Sequence, residues 1–354
     1  MAPMRVALVG CGNIADRYAK SIAGSSALEL AGATDVLPGR ADELVGEFGG
    51  IAYPSLEELL ADEAVDTVVN LTAPQAHAEV SAQSLEAGKH VHTEKPVALR
   101  YEEAKDLAEL ADRRGVRLSA APATLLGEAQ QTAWKLVREG AIGRVRATYA
   151  EANWGRIESW HPSPQALYAA GPVVDVGIYP LTILTAMFGP ARRVLAYATT
   201  LEPDRSTLDG TSFRPQRPDF TAAVVELESG VVVRLTATFW VRPGRQRGLE
   251  FHGDESSLYL ASWGEFDSRL EQSSDGEEFA PVPLVREPYP GIGWGRALED
   301  LAEAIETGRP HRASAGHAAH VVELLNAIER SAAEGSAVAV ESEFVRPEPM
   351  EWAS

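Results

Sequence analysis

Cysteine is almost absent: Cys11 is the only one in 354 residues. An internal disulfide is therefore excluded, and so is a cysteine-built metal cluster. Positive charge is also scarce. Lys and Arg total 32 against 51 Asp and Glu, a formal net charge of -19. Nucleic acid and anionic membrane surfaces bind through clustered positive charge, so neither is an expected partner. Long apolar runs are missing, and no stretch reaches the length of a membrane span. The N-terminal run Met4–Val9 passes straight into Gly10 without a small-residue cleavage site, which is not the layout of a signal peptide. One cysteine and no leader signal lead to an expected reducing, cytoplasmic location. No His-x-His or His-Glu-x-x-His spacing surrounds His161, and no metal is expected.

What is present is a chain that is 45% hydrophobic, enough for two cores. The first third alternates strand-like and helix-like segments. Strands are expected at 4–9, 28–34, 66–71, 90–92 and 116–121, with helices at 14–22, 39–48, 75–87 and 101–114 between them. That alternation implies a parallel sheet covered on both faces. After about Pro122 the pattern changes. A helix at 127–139 is followed by extended segments at 144–153, 192–201, 220–228 and 231–241, with Ser229-Gly230 as a hairpin turn. Shorter strands are expected at 249–252, 257–260 and 269–271, and helices at 295–306 and 315–334. The polar, Pro-rich stretch 201–218 reads as a loop. The expected class is α/β: a Rossmann-type parallel sheet in residues 1–122, then an α+β domain in 123–354 with a large, mostly antiparallel open sheet.

Gly10-Cys11-Gly12-Asn13-Ile14-Ala15 is a G-x-G-x-x-A turn between the first strand and the first helix. Gly10 permits the tight turn, Gly12 lets backbone approach a pyrophosphate, and Ala15 lets helix pack on strand. Backbone at Asn13 and Ile14 opens the helix, whose N-terminus favours an anion. Asp35 ends the second strand about 20 residues further on, where a carboxylate suits both adenosine ribose hydroxyls. The same charge repels a 2′-phosphate, so NAD is expected over NADP, with Arg40 nearby as the complication. Cys11 reads as a small turn residue.

Hydride transfer to or from an alcohol needs an acid or base within reach of the oxygen. Two segments offer one. Thr93-Glu94-Lys95-Pro96 follows a short strand and so falls at the ligand-binding edge of a parallel sheet. Asp175 and Tyr179 lie four apart and would share a helix face, with Pro180 kinking that helix or sitting in its first turn.

Here the sequence resembles the Gfo/Idh/MocA family, named for glucose-fructose oxidoreductase and inositol dehydrogenase. The stretch AGKHVHTEKPVAL at 87–99 resembles the family's AGKHVxxEKPxA signature. Asn70-Leu71-Thr72-Ala73-Pro74 with His77 resembles its nicotinamide-side segment, and GPVVDVGIYP at 171–180 its G-G-x-x-x-D-x-G-x-H/Y helix. The resemblance implies cofactor contacts from Thr72, Pro74, His77, Glu94 and Lys95. It implies Lys95 as the group that hydrogen-bonds substrate, Asp175 as its orienter and Tyr179 as acid/base, and a Lys95–Pro96 bond that is often cis. Pro172 replaces the usual second glycine. Helix surface is the alternative for His77.

Trp154, Trp160 and His161 offer aromatic faces beside polar donors, which suits a sugar ring; ordinary packing is the alternative. His311, His317 and His320 read as structural. The expected function is hydride exchange between NAD(P) and a sugar, polyol or related alcohol. Two alternatives stand beside it: a glycosidase-type enzyme that uses tightly bound NAD transiently, and a non-catalytic NAD-binding sensor or regulator. The resemblance and the open sheet together imply a homodimer or homotetramer.

Overall fold

The computed structural model describes residues 2–241, 244–274 and 277–354. The apolar run at the start becomes β1 (Met4–Val9), whose last four residues are buried, as a central parallel strand requires. It is followed by α1 (Ala15–Ala23), β2 (Leu28–Thr34), α2 (Arg40–Phe48), β3 (Ile51–Ala52), α3 (Leu56–Ala61), β4 (Thr67–Asn70), α4 (His77–Glu86), β5 (His90–Thr93), α5 (Tyr101–Arg114) and β6 (Leu118–Ala120). The six strands lie in the order β3-β2-β1-β4-β5-β6 and every pairing is parallel. Strand order reverses at β1, which pairs with β2 on one side and β4 on the other. Parallel sheets bind ligands beyond the strand ends at such a switch point. Sequence periodicity missed β3 and α3. A local signal was there: Ser55 accepts a hydrogen bond from the Glu58 amide at 3.1 Å, the Ser-x-x-Glu helix start.

The second part of the chain runs α6 (Glu128–Arg138), β7 (Val145–Asn153), α7 (Gln165–Ala170), α8 (Ile178–Phe188), β8 (Ala191–Thr199), β9 (Arg205–Ser206), β10 (Ser212–Phe213), β11 (Phe220–Leu227), β12 (Val232–Thr238), β13 (Gly248–Gly253), β14 (Ser256–Leu260), β15 (Leu270–Ser274), β16 (Ala280–Pro281), α9 (Arg296–Thr307), α10 (Ala315–Glu334) and β17 (Val338–Ala339). Among the described residues nine strands form one sheet, β16-β15-β14-β13-β7-β12-β11-β8-β17, antiparallel except for the β7–β12 pair. β11 alternates buried and exposed positions, so one sheet face is covered and the other is open. α8 is apolar on nearly every side and packs on the covered face against β7. The open face carries Leu195, Tyr197, Val224 and Val232, all exposed.

Contacts divide the chain into two units, Met1–Ala123 with Gly293–Val322, and Thr124–Ile292 with Glu323–Ser354. A single break at 122 therefore captures only the first crossing. Amphipathic α9 returns to the first unit, where Leu298 joins a cluster with Val6, Leu8, Tyr18 and Ile22. Ala315, Ala319 and Val322 pack there against Leu85, Val91 and Leu118. Helical periodicity reveals an apolar face but not which sheet it will cover.

The expected loop at 201–218 contains the β9–β10 ribbon. Arg205 anchors it. Its side chain is fully buried, pairs with Glu158 at 2.7 Å and with Asp219, and lies over the rings of Tyr168 and Trp240 at 4.8 and 5.4 Å. Replacing Arg205 by Met leaves buried Asp219 without its cation and buried Glu158 with Arg156 alone. We expect a loss of about 3–5 kcal/mol in urea unfolding followed by tryptophan fluorescence. A shift below 1 kcal/mol, roughly the worth of an exposed pair, would contradict this account.

Candidate active site

In the first unit the glycine turn lies between the ends of β1 and β4. Gly10 has φ +94, and a Cβ there would stand 2.9 Å from the Leu71 carbonyl, so only glycine fits. Nothing lies within 4 Å of a Cβ built on Gly12, which leaves its backbone open to close approach. Ile14, the N-cap of α1, provides no side-chain cap, so the first amides of the helix face the turn. Asp35 directly follows β2. Its Oδ2 accepts from the Cys11 amide at 2.6 Å and its Oδ1 from the Leu37 amide at 2.7 Å, which ties the β2 end to the turn. The Cys11 thiol is pushed up to about 11, by burial first and Asp35 second. It stays protonated, in keeping with a small turn residue rather than a redox nucleophile.

Thr72 and Pro74 follow β4. The Thr72 hydroxyl donates to Asn70 Oδ1 at 2.6 Å, and Pro74 opens a short 3₁₀ turn, Pro74–Ala76, ahead of α4. Asn70 is a brace that sequence reading left without a role. Its Nδ2 donates to the His77 carbonyl at 3.0 Å and to Ser81 Oγ at 3.1 Å. A polar residue closing an apolar strand was the available signal. His77 is not helix surface. It is buried, with Nδ1 2.7 Å from the Pro96 carbonyl and Nε2 3.0 Å from the Thr72 carbonyl. Both ring nitrogens are engaged by backbone, so His77 holds the Thr72 loop to the turn after β5.

That turn carries Glu94 and Lys95, and the Lys95–Pro96 bond is cis. Glu94 is buried. Its Oε1 accepts from the Tyr18 hydroxyl at 2.8 Å and its Oε2 from the Lys95 amide at 3.0 Å. Tyr18 also meets His92 Nε2 at 3.3 Å, and His92 Nδ1 meets Ser119 Oγ at 2.9 Å. Burial, with His311 adding to it, pulls His92 down to about 3, so this ring is neutral. A carboxylate only accepts. Tyr18 therefore donates to Glu94, His92 Nε2 donates to Tyr18, and Ser119 donates to Nδ1. This chain of donors fixes the Lys95 backbone from within the sheet.

In the second unit Asp175 and Tyr179 lie on consecutive helical segments. Residues Val173–Gly177 form a widened π turn that leads into α8, and Pro180 falls in the first turn of α8. The widening precedes the proline, whose missing N–H interrupts the ladder there. Pro172 is the N-cap at φ -66, which its ring favours, so its replacement of glycine leaves the helix start intact. Asp175 is buried and Gly177 brings the segment close to Ala237 of β12.

The Tyr179 ring packs on Trp263 with centroids 4.8 Å apart. Trp263 meets Trp154 at 5.8 Å, Trp154 meets Trp160 at 6.4 Å, and Trp160 meets His161 at 5.5 Å. Of the expected residues, Trp154, Trp160, His161 and Tyr179 thus belong to one aromatic row, and Trp263 is the member that sequence reading missed. His161 Nδ1 accepts from the Ser163 amide at 3.0 Å. No group of three or more His, Cys, Asp or Glu could hold a metal among the described residues. No helix among them is long and apolar enough to cross a membrane.

A glycine turn at the switch point of a parallel sheet, with a carboxylate at the end of the neighbouring strand, defines a dinucleotide-binding oxidoreductase. The chain belongs to the Gfo/Idh/MocA family. Residues 4–121 match the oxidoreductase family model with an NAD-binding Rossmann fold, and residues 130–259 match the Gfo/Idh/MocA C-terminal domain. It is 29% identical over 219 residues to an uncharacterised oxidoreductase of Synechocystis, a match covering 60% of this chain and 58% of that protein. It is 28% identical over 315 residues to UDP-N-acetylglucosamine 3-dehydrogenase of Acidithiobacillus ferrooxidans, covering 88% of this chain and 91% of that one. The solved structure of levoglucosan dehydrogenase with NADH and L-sorbose superposes with a TM-score of 0.84 at 22% identity, covering 97% of this chain and 100% of that chain. At that identity the likeness speaks for the fold.

Proposed function

We propose that this oxidoreductase exchanges hydride between NAD and a secondary alcohol of a sugar or sugar derivative. The carrying observation is the aromatic row of Tyr179, Trp263, Trp154 and Trp160. Such rings take the C–H faces of a pyranose while a phenol hydroxyl stands beside them. Two of the relatives above bear sugar-derived substrates in their names, which supports the reading.

The fit of the dinucleotide rests on the Gly10–Gly12 turn, the uncapped start of α1 and the Asp35 carboxylate, with Thr72, Pro74 and Glu94 at the neighbouring strand ends. Bound NAD supplies the hydride acceptor or donor. In oxidation, Lys95 holds the substrate oxygen by a hydrogen bond, Asp175 orients a neighbouring hydroxyl, and Tyr179, acting as its phenolate, takes the hydroxyl proton as the C–H bond breaks. In reduction, Tyr179 returns that proton to the carbonyl oxygen. Asp35 favours NAD over NADP because it would face a 2′-phosphate. We further propose that the open sheet face with Leu195, Tyr197, Val224 and Val232 pairs copies of the chain into a dimer or tetramer, a mass measurable in solution. The cytoplasm remains the location we propose.

The test is cofactor reduction followed spectrophotometrically against pyranoses, inositols and glycosides, with NAD and NADP in parallel. We expect reduction of NAD by at least one pyranose, with NADP slower by at least tenfold. Saturable NAD binding without reduction by any of these alcohols would favour the sensor reading instead.

A further inference from the structure

A cavity of about 440 Å³ opens in the second unit beside the aromatic row. Its walls come from the end of β7, the start of β13 and the β14–β15 connection. Trp154 and Trp263 both line it, and Trp263 is the ring that also packs on Tyr179. A ligand group in this cavity would therefore lie one indole away from the proposed acid/base.

The chemistry of the walls is mixed. Arg247 and Arg269 face the cavity together with Glu265 and Asp267. Glu151 lines it too, but its carboxylate is engaged by Arg234 at 2.6 Å and by Asn153 Nδ2 at 3.2 Å. Asn153 also lines the cavity. Its Nδ2 also donates to the Gln246 carbonyl at 3.3 Å, whereas its Oδ1 is buried and has no hydrogen-bond partner. A buried acceptor left without a donor is uncommon and calls for one. Carboxylates that accept, guanidinium groups that donate and two indole faces are what a neutral polyhydroxylated ring requires. Arg247 and Arg269 are balanced by Glu265 and Asp267, so the lining has no net charge to favour a diphosphate and suits a neutral ring.

We propose that this cavity is a second sugar subsite, which holds the unreacted ring of a neutral disaccharide while the other ring is oxidised beside Tyr179. The inference rests on the proposed function and narrows its substrate class. Its test compares cellobiose and maltose with methyl glucoside in the wild type, Asn153→Ala and Arg247→Ala. Arg247 is exposed, so that variant guards against loss of fold. We expect KM for at least one disaccharide to rise tenfold or more in both variants, with kcat and the methyl glucoside constants unchanged. Equal changes on all substrates, or no change on any, would overturn the subsite. If no sugar is oxidised at all, calorimetric binding of the two disaccharides decides. Binding to the wild type that weakens tenfold in Asn153→Ala keeps the subsite while the redox reading falls, and absence of binding removes both.

Discussion

Lys95→Ala is expected to lower kcat by about 10²–10⁴-fold, the usual contribution of a positioned proton-transfer group, while NAD affinity changes by only a few fold. In barrier terms that is about 3–5 kcal/mol. The reasoning starts at the backbone. Lys95 follows β5 at the ligand-binding edge of the sheet, and its amide is held by Glu94. Glu94 is held by Tyr18, and Tyr18 by a His92 that stays neutral. So much buried hydrogen bonding around a turn in which Lys95 is only half-buried makes sense if its ammonium must be placed accurately. Lys95→Arg should recover little, because a planar fork does not replace a point donor. Tyr18→Phe separates placement from chemistry: it keeps the ammonium and removes the donor to Glu94, so we expect kcat to fall less than in Lys95→Ala. Turnover of Lys95→Ala within threefold of wild type, with NAD still bound, would remove Lys95 from the mechanism.

Where a site was legible in the sequence, its parts are close in the chain. The Gly10–Ala15 turn and Asp35 depend on one β-α-β unit, and the short Glu94-Lys95-Pro96 segment sits where its strand ends. The missed parts depend on register between distant strands. Trp263 reaches Trp154 because β14 pairs with β13, and β13 with β7: Leu249 faces Leu260 on one side and Ala150 on the other. That pairing places the residues after β14 beside those after β7, and no periodicity in either strand reports it. Arg205 reads as an ordinary loop arginine until Glu158 and Asp219 converge on it. For His77, cofactor contact and helix surface both stand as readings of the sequence; that the ring is buried between the carbonyls of Thr72 and Pro96 depends on two loops outside its helix. The return of α9 to the first unit was invisible for the same reason. Local pattern names an element and its apolar face, but the partner of that face is a long-range choice.

Acid should unfold the first unit well before it protonates the carboxylates. His92 and His317 are both buried there, and each is pulled down to about 3, by burial first and by a neighbouring histidine second, His311 for His92 and His320 for His317. An unfolded histidine titrates near 6.5. Protons therefore bind the unfolded chain more readily than the folded one across that interval. The stability these rings allow is complete above the ordinary histidine range and is lost as pH falls from there toward 3. Each ring contributes about 1.4 kcal/mol per pH unit, so the pair contributes about 2.7 kcal/mol per unit. Two units of acidification remove about 5 kcal/mol, comparable to the whole stability of a modest domain. His90 and His311 are lowered as well, burial again the main cause, and act in the same direction. Urea unfolding at neutral pH and at two lower values measures the slope, and the histidine ring proton resonances show which rings resist protonation. His317→Gln should remove one ring's share of the slope, about half of what His92 and His317 contribute together, if the variant folds. Stability that stays level while the His92 and His317 resonances titrate near their ordinary range would mean that these rings accept protons inside the fold. The donor order from Ser119 through His92 and Tyr18 to Glu94 would then have to be redrawn, because a doubly protonated ring cannot accept from Ser119.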